Sequence, residues 1–475
     1  MNNNIFKSIL FFFLLFNGAV ITAQDKLVVY PVSSPDLTKG DFTTRVRIAG
    51  GQWQTLPNYS ITVANVVNYQ KKLEQASVSY FAFEGEVEVA VTYNKEPVKE
   101  VRVRPLSYGI TPAVQGNTIT FRLKQARNLS VEINGDIFHN LHLFANPVYK
   151  DLPRKGDPDV IYFGPGVHTL ENGVLAIPSG KTVYVDGGAY IKGQFLFDKV
   201  QNAKLMGHGM MDQSVRLTIR IAYSQNIEVD GLLASQCLSG GSDGVMIRNV
   251  KAISHLQWGD GMNVMASNNV TFDGVFNRNS DDCTTVYGTR HGYKGGCKNI
   301  LMKNSTLWAD IAHPILIGTH GSTPEPEILE NITYQNIDIL DHKEAQMDYQ
   351  GCMSLNAGDS NLIRNVTFED IRVENFRQGQ LLNIRVFFNS KYCTSPGRGV
   401  ENIWFKNVTY TGTNAEISVI EGYDENRKVK DIVFENLVIN GLKISDKMPG
   451  KPGYYKTGDV ARIFIGNHAE GVIFK

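Results

Sequence analysis

Apolar and polar residues alternate with a period of two over the first third of the chain. The alternating stretches lie between Asp25 and Pro147 and are separated by Gly, Asn and Pro turns: TTRVRIAG, ASVSYFAF, EVEVAVTY, KEVRVRP, NTITFRLK and LSVEING. Such alternation is typical of half-buried antiparallel strands joined by short turns. The pattern predicts a small antiparallel β-sandwich domain over residues 24–150.

A different pattern follows the polar, proline-bearing linker KDLPRKGDPD. A short unit recurs in which Asn or Asp precedes an apolar, a variable and a second apolar residue: NIEVDGL from 226, NVTFDGV from 269, NILMKNS from 299, NITYQNI from 331, NVTFEDI from 365, NIWFKNV from 402 and DIVFENL from 431. Asn suits the turns because it tolerates left-handed backbone and caps peptide groups. The uneven spacing excludes a propeller of equal blades, so the repeats predict an all-β, right-handed parallel β-helix over residues 155–475.

The N-terminus has the features of a secretory signal. Lys7 precedes the apolar run SILFFFLLFNGAVI, and Ala23 precedes a polar residue. The run is short for a membrane span and Asn17 interrupts it. We therefore predict a signal peptide over residues 1–23, a secreted or periplasmic location, and a mature chain without membrane insertion.

The charge balance and the cysteine pattern exclude some classes of function. Lys plus Arg (47) balances Asp plus Glu (47), so no basic field indicates a nucleic-acid partner. The five cysteines contain no CxxC pair and no zinc-ligand spacing, and we predict no metal and no cofactor. A Cys283–Cys297 bridge and buried free thiols both remain open.

Carboxylates concentrate in two consecutive repeats. Asp260 precedes one predicted coil and Asp281-Asp282 belong to the next, 21 residues on (281 minus 260), while His313 follows a further coil along. Stacked coils would bring the three aspartates to one face. Glycoside hydrolysis needs one protonated carboxyl and one carboxylate, and crowding raises the pKa of one member. Neighbouring side chains diverge on a straight strand, so we predict a kink or bulge at Ser280–Asp282.

Two other interpretations of this cluster remain open at this point. Asp after Asn or Ser is ordinary turn chemistry. Three acidic groups can also hold calcium.

The segments GDGMNVMASNNVTF, NSDDCTTVYG and AHPILIG resemble, in order, the active-site motifs of polygalacturonases, glycoside hydrolase family 28. The related dextranases and isopullulanases of family 49 share the Asp plus Asp-Asp arrangement. An N-terminal sandwich and the segment VIYFGPGVH…VYVDGGAYIKG…GHG are further resemblances. The resemblance implies that Asp281 is the general acid, that Asp260 and Asp282 hold and deprotonate water, and that His313 supports the site. It also implies inversion, with carboxyl groups roughly 6.5–9.5 Å apart.

The resemblance has departures that bear on the substrate. Trp258-Gly259-Asp260, Ser280-Asp281-Asp282 and Ala312-His313-Pro314 replace the family's usual residues, and its Arg-Ile-Lys motif has only NIRV, with Arg385, as a counterpart. Carboxylate recognition favours Arg or Lys close by. The predicted substrate-binding residues are Trp258, Arg278, Tyr287, Arg290, Lys294 and Arg385.

The favoured hypothesis is a secreted, inverting, metal-independent hydrolase of an α-linked polysaccharide, with a galacturonan of the pectin type as substrate. A dextranase- or isopullulanase-like hydrolase of neutral α-glucan is the first alternative. A β-helix polysaccharide lyase and a non-catalytic carbohydrate-binding solenoid are the others.

Overall fold

A computed structural model describes residues 26–68 and 70–475. The predicted signal peptide lies outside these residues. Within them, no helix is long and apolar enough to cross a membrane. The described chain forms two β-rich parts, and one short α-helix, α1 (Thr457–Ala461), lies near its end.

The first part is a two-sheet sandwich. One sheet has the order β1-β5-β11-β10-β7 with β4 paired to β5, and the other has the order β3-β2-β6-β9-β8. All pairs are antiparallel except β5 with β11, which is parallel. The strands are β1 Lys26–Val29, β2 Phe42–Ile48, β3 Gln54–Leu56, β4 Tyr59–Val67, β5 Gln70–Glu84, β6 Val87–Tyr93, β7 Val101–Arg104, β8 Ala113–Gln115, β9 Thr118–Leu123, β10 Arg127–Ile133 and β11 Asp136–Pro147.

The second part is a parallel β-helix, which confirms the predicted fold class. Strands β12 to β41 stack coil upon coil, except that β39 returns antiparallel to β38 and β33 pairs with β36 apart from the main stack. The first half comprises β12 Val160–Phe163, β13 Gly166–Ala176, β14 Thr182–Val185, β15 Ala189–Asp198, β16 Gln201–Gly207, β17 Met210–Met211, β18 Ile219–Ala222, β19 Gln225–Asp230, β20 Leu233–Ala234, β21 Cys237–Gly240, β22 Asp243–Arg248, β23 Lys251–Ile253, β24 Met262–Met265, β25 Asn268–Asp273, β26 Phe276–Asn279 and β27 Thr284–Tyr287.

The second half of the helix contains the longest strands of the helix, together with several short ones. They are β28 Cys297–Ala309, β29 Ile315–Gly318, β30 Ile328–Asp341, β31 Met353–Ala357, β32 Leu362–Val373, β33 Gly379–Gln380, β34 Leu382–Val386, β35 Gly399–Tyr410, β36 Ala415–Glu416, β37 Ser418–Glu421, β38 Val429–Ile439, β39 Leu442–Ile444, β40 Ile463–Ile465 and β41 Ala469–Phe474.

The recurrent unit of the sequence is the stacking unit of the helix. Its first apolar position is in register from coil to coil, as in Ile332 over Ile300 and Val366 over Ile332. Its second apolar position forms an aromatic column in which Phe368 and Phe405 stack 4.8 Å apart. These side chains belong to one buried core that runs from Leu170 to Phe474.

The asparagines that open the units form a ladder along the outside of the helix. Asn331, Asn365 and Asn402 have left-handed backbone, with φ of 56°, 55° and 59°. The Asn365 side chain donates to Asn331 at 3.2 Å and accepts from Asn402 at 2.6 Å. Each asparagine therefore turns the chain, as the sequence pattern predicted, and its side chain also links neighbouring coils.

The five cysteines are buried free thiols, all within the described residues. Cys237, Cys283 and Cys352 are part of the apolar core of the helix, and Cys297 joins them. The pairing of Cys283 with Cys297 is therefore not realised, and the buried-thiol alternative holds.

An apolar contact joins the sandwich to the side of the helix. Tyr59, Val78 and Phe144 of the sandwich pack in one buried cluster with Phe276 and Trp308 of the helix. The backbone of Thr62 in β4 and the side chain of Gln213 exchange two hydrogen bonds, of 2.9 and 3.1 Å. The sandwich therefore lies against the coils that carry the aspartates.

Replacing a ladder asparagine tests the turn interpretation. We expect Asn365→Ala to lower the free energy of unfolding by about 1–2 kcal/mol, because an alanine is strained in the left-handed region. Asn365→Gly, which accepts this backbone, should cost less even though it loses the same hydrogen bonds. Urea unfolding followed by circular dichroism measures both. A glycine variant less stable than the alanine variant would contradict the role of backbone conformation.

Candidate active site

The three aspartates lie on adjacent coils at one face of the helix. Asp260 lies two residues before β24, and Asp281 and Asp282 occupy the corner between β26 and β27. Strands β24 and β27 pair in register, and the Gly261 amide donates to the Asp282 carbonyl at 2.9 Å. One oxygen of each carboxylate lies within 4.8 Å of those of the other two. The predicted stacking of these residues is therefore present.

The Asp-Asp pair stands at a corner rather than at a bulge within one strand. Strand β26 ends at Asn279 and β27 begins at Thr284, so the chain turns between two faces of the helix. The Ser280 hydroxyl fixes the corner by donating to the Leu256 carbonyl at 2.6 Å, and the Asn279 amide donates to Ser254 Oγ at 2.9 Å. Since the corner breaks the strand alternation, both carboxylates can face the same side.

Asp282 is the centre of a buried hydrogen-bond network. Its Oδ1 accepts from His313 Nδ1 at 2.7 Å and from the His313 backbone amide at 3.2 Å, and its Oδ2 accepts from the Tyr287 hydroxyl at 3.1 Å. His313 Nε2 donates to the Tyr349 carbonyl at 2.8 Å. Both ring nitrogens of His313 thus face acceptors, which suits an imidazolium paired with an ionised Asp282.

The pKa of His313 reflects this pairing. Burial alone lowers the pKa of an imidazole, but the charge and hydrogen bond of Asp282, with Glu344 nearby, raise it above its ordinary value. The neighbouring His342 has no such carboxylate, and burial lowers its pKa to about 3.

The other two carboxyl groups hold protons more tightly than free aspartates do. Burial and the charge of Asp282 raise the pKa of Asp281 to about 7. Burial, followed by the charges of Asp281 and Asp282, raises the pKa of Asp260 well above its ordinary value. The cluster therefore combines a carboxylate bonded to a histidine with two carboxyl groups whose pKa is raised.

The aspartates open into a cleft of about 1020 Å³ walled by loops between coils. Trp258 is 60% exposed on one wall, and Arg216 lies 5.3 Å from its ring centre. Arg290 follows β27, and Lys391 with Tyr392 comes from the loop after β34. The cleft thus brings polar, aromatic and basic side chains around the carboxylates, as carbohydrate sites do.

Three of the predicted substrate-binding residues line this cleft. Trp258, Tyr287 and Arg290 all face it. Tyr287 is buried and supports Asp282, so its hydroxyl is already occupied.

Arg278, Lys294 and Arg385 were expected in the cleft, and this expectation is corrected. Arg278 is wholly buried on the sandwich side of its strand in an ion pair with Asp310. Lys294 lines a separate shallow depression. Arg385 donates to Asp348 at 2.6 Å. Closeness in sequence to the aspartates was misleading for Arg278, because alternate residues of a strand face opposite sides. Lys294 lies in the loop between β27 and β28, and Arg385 was predicted from the NIRV segment and not from closeness.

Several cleft residues escaped the sequence analysis. Glu344, Tyr349, Lys391 and Tyr392 come from loops 60 to 110 residues after the Asp-Asp pair and carry no local motif. The rings of Tyr349 and Tyr392 stack 4.2 Å apart, which joins two of these loops. Only the stacking of coils makes them neighbours of the aspartates.

The sandwich also reaches toward the cleft. Lys71 of β5 is close enough for the charge of Asp281 to act on it, although partial shielding from water lowers the pKa of Lys71 overall. No sequence motif marks this lysine.

The three carboxylates are also the described groups that could hold a metal ion. Calcium takes six to eight oxygen ligands, and three monodentate carboxylates supply half of the lower number. His313 already provides a positive partner for Asp282, and the charge of Arg290 acts on Asp260. The positive charges beside the cluster oppose a divalent cation.

The pairing of His313 with Asp282 has a spectroscopic test. We expect the ring of His313 to be doubly protonated at pH 7, and we expect Asp282→Asn to make it neutral, because burial then dominates its pKa. Nitrogen-15 NMR of histidine-labelled protein reports both states. His342 serves as an internal control that stays neutral in both proteins. A His313 resonance unchanged by Asp282→Asn would refute the ion pair.

Residues 177–451 match the family Glycosyl hydrolases family 28. Comparison with curated protein sequences gives no significant match. Among solved structures, Dex49A from Penicillium minioluteum superposes with a TM-score of 0.60 and 14% identity, over 94% of this chain and 96% of that one. A Yersinia enterocolitica family 28 exopolygalacturonase gives a TM-score of 0.47 at 10% identity, over 81% and 96%.

The likeness to Dex49A covers the sandwich as well as the helix and bears on the fold alone. The family match spans more than half of the chain and includes all three aspartates and His313. It favours hydrolysis over the lyase and non-catalytic alternatives. The chain belongs to glycosyl hydrolases family 28 and is a glycoside hydrolase.

Proposed function

We propose that this enzyme hydrolyses an α-linked acidic polysaccharide of the galacturonan type, with Asp281 as general acid. The observation that carries the substrate class is the set of unpaired cations in the cleft. Arg216, Arg290 and Lys391 line it, and none forms a salt bridge within residues 26–68 and 70–475: Arg216 lies over the Trp258 ring, and Lys391 donates to Gln346 Oε1 at 2.9 Å. Cations left without carboxylate partners suit a substrate that brings its own carboxylates.

The proposed reaction uses the different proton affinities of the three aspartates. Asp281, with a pKa of about 7, transfers its proton to the glycosidic oxygen while the bond from that oxygen to the anomeric carbon breaks. A water molecule between Asp260 and Asp282 adds its oxygen to the anomeric carbon and releases a proton to the Asp282 carboxylate. His313 orients Asp282.

The spacing of the carboxylates suits a shared water. A water that bonds two carboxylate oxygens at about 2.8 Å each, with an angle near tetrahedral, holds them about 4.6–4.8 Å apart. One oxygen of Asp260 and one of Asp282 lie within 4.8 Å of each other, which is compatible with this distance. Asp281 lies as close, which is shorter than the separation of roughly 6.5–9.5 Å that inversion implied. Inversion is therefore proposed from the water-holding pair and the family, not from the acid-to-base distance.

Loss of the acid proton should abolish hydrolysis. We expect Asp281→Asn to reduce kcat on polygalacturonate by about 10²–10⁴-fold with the fold retained. In the wild-type enzyme, kcat/KM should decline above about pH 7, because Asp281 must be protonated to act. Reducing-sugar assays measure both effects, and NMR of the first product anomer tests inversion. Near-wild-type activity of Asp281→Asn would disprove the acid assignment.

A matched pair of variants tests the substrate class. We expect Arg290→Gln to raise KM for polygalacturonate about tenfold or more, the usual effect of losing a hydrogen bond between charged groups. Lys294→Gln removes the same charge from a site outside the cleft and should leave KM unchanged.

The same assay should include dextran and pullulan. A neutral α-glucan that is cleaved well, with a KM insensitive to Arg290→Gln, would reject the acidic substrate in favour of the dextranase-like alternative. The exposed ring of Trp258 would then serve as the main sugar platform.

We further propose that the enzyme acts outside the cytoplasm, where polymers too large to enter a cell are found. The apolar segment before Ala23 supports export.

A further inference from the structure

A buried ion pair lies directly behind the aspartates. Arg278 and Asp310 are both wholly inaccessible to solvent. Arg278 Nε donates to Asp310 Oδ2 at 2.9 Å, and Nη2 donates to Oδ1 at 3.2 Å. The two parallel bonds fix the relative position of the groups more closely than a single contact does.

This pair ties together the two loops of the active site. Arg278 lies two residues before the corner that begins at Ser280, and Asp310 lies three residues before His313. The strands that end in these loops pair in register through Arg278 and Trp308. The loops then separate and meet again where the Cys283 amide donates to the His313 carbonyl at 2.8 Å. Between these points, the Arg278–Asp310 pair links them behind the cleft and the Asp282–His313 pair links them inside it.

The sandwich completes the coordination of Arg278. Nη1 donates to Asn140 Oδ1 at 2.9 Å and to His142 Nε2 at 3.1 Å, both from β11. His142 can accept because it is neutral: burial, with the charges of Arg278 and Arg104, holds its pKa well below the ordinary value. Asn140 is itself held by a bond of 2.8 Å to Ser130 Oγ. The guanidinium also lies 4.0 Å from the ring centre of Trp308.

We propose that Arg278 is a positioning residue, and that the N-terminal sandwich serves catalysis by holding Arg278 through Asn140 and His142. The sandwich thereby sets the distance between the Asp281-Asp282 corner and His313. This role differs from substrate binding, because Arg278 lies behind the cleft. The inference rests on the proposed roles of Asp281 and Asp282.

The test compares two buried arginines that touch the same tryptophan. Arg278→Lys keeps the charge and removes the two-pronged geometry. Arg104→Lys is the matched control, since Arg104 lies 4.5 Å from the Trp308 ring but binds Glu132 and the Leu340 carbonyl instead of the catalytic loops. Both are made in the full chain and assayed on polygalacturonate, with kcat normalised to the folded fraction.

We expect Arg278→Lys to reduce kcat about 10²-fold with KM within threefold, since small displacements of catalytic groups have effects of this size. We also expect the decline of kcat/KM at alkaline pH (the alkaline limb of the pH profile) to begin at a lower pH in this variant. The reason is that a displaced Asp282 raises the pKa of Asp281 less. Arg104→Lys should keep the wild-type kcat and limb even if its melting temperature falls.

Equal kcat in Arg278→Lys and wild type, or equal loss in both arginine variants, would overturn the proposal. If Arg278→Lys does not fold, Asn140→Ala gives the same readings, with an expected tenfold loss of kcat and the same direction of limb shift. Unchanged kcat and limb in Asn140→Ala would likewise overturn it. Full activity of Asp281→Asn would instead mark a failure of the proposed function.

Discussion

The in-register stacking of parallel coils is the constraint on which the other features depend. A residue in one coil has its counterpart one coil away directly above it, about 4.8 Å along the axis. The asparagine ladder, the aromatic column and the apolar core all result from this rule. The aspartates obey it too, because the loop before β24 and the corner before β27 must then be neighbours. Groups that repel one another are held together by strand pairing that does not depend on them.

The electrostatics of the cluster follow from this enforced closeness. Ionising all three carboxyl groups at such short range is unfavourable because their negative charges repel, and burial makes it more unfavourable. The three groups differ, since Asp282 receives three hydrogen bonds, two of them from His313, whereas burial and neighbouring charges raise the pKa of Asp260 and of Asp281. An acidic group beside a carboxylate in one small volume is what the proposed hydrolysis needs.

The sandwich is more than an appended domain, because it contacts the strands that lead into the candidate active site. Its apolar contact with Phe276 and Trp308 lies on the same strands whose ends carry the aspartates and His313. Alternate residues of β26 therefore serve different ends: Phe276 and Arg278 face the sandwich, whereas Asn277 and Asn279 bond the corner and its neighbours. The same short strand joins the domain interface to the active site.

The sequence by itself determined the repeat and the fold class, and its motifs marked the three aspartates and the histidine that the structure brings together. The period of the apolar residues and the recurrence of asparagine at turns are local properties of the sequence, so they can be recognised without the structure. The order of the motifs with Asp260, Asp281-Asp282 and His313 could be recognised for the same reason. The sequence misassigned Arg278 and Lys294, because nearness along the chain does not reveal where a side chain points. It misassigned Arg385, because a short motif does not reveal which partner a side chain binds.

Only the tertiary structure decided what surrounds the aspartates. Lys391 and Tyr392 reach the cleft from 109 and 110 residues beyond Asp282, and Lys71 approaches from the other domain. It also showed that the expected kink or bulge is a corner between two strands, and that Arg278, expected to bind sugar, is a buried link between domains. These outcomes depend on loop paths and domain packing, which arise from contacts between residues far apart in sequence and leave no periodic signal in it.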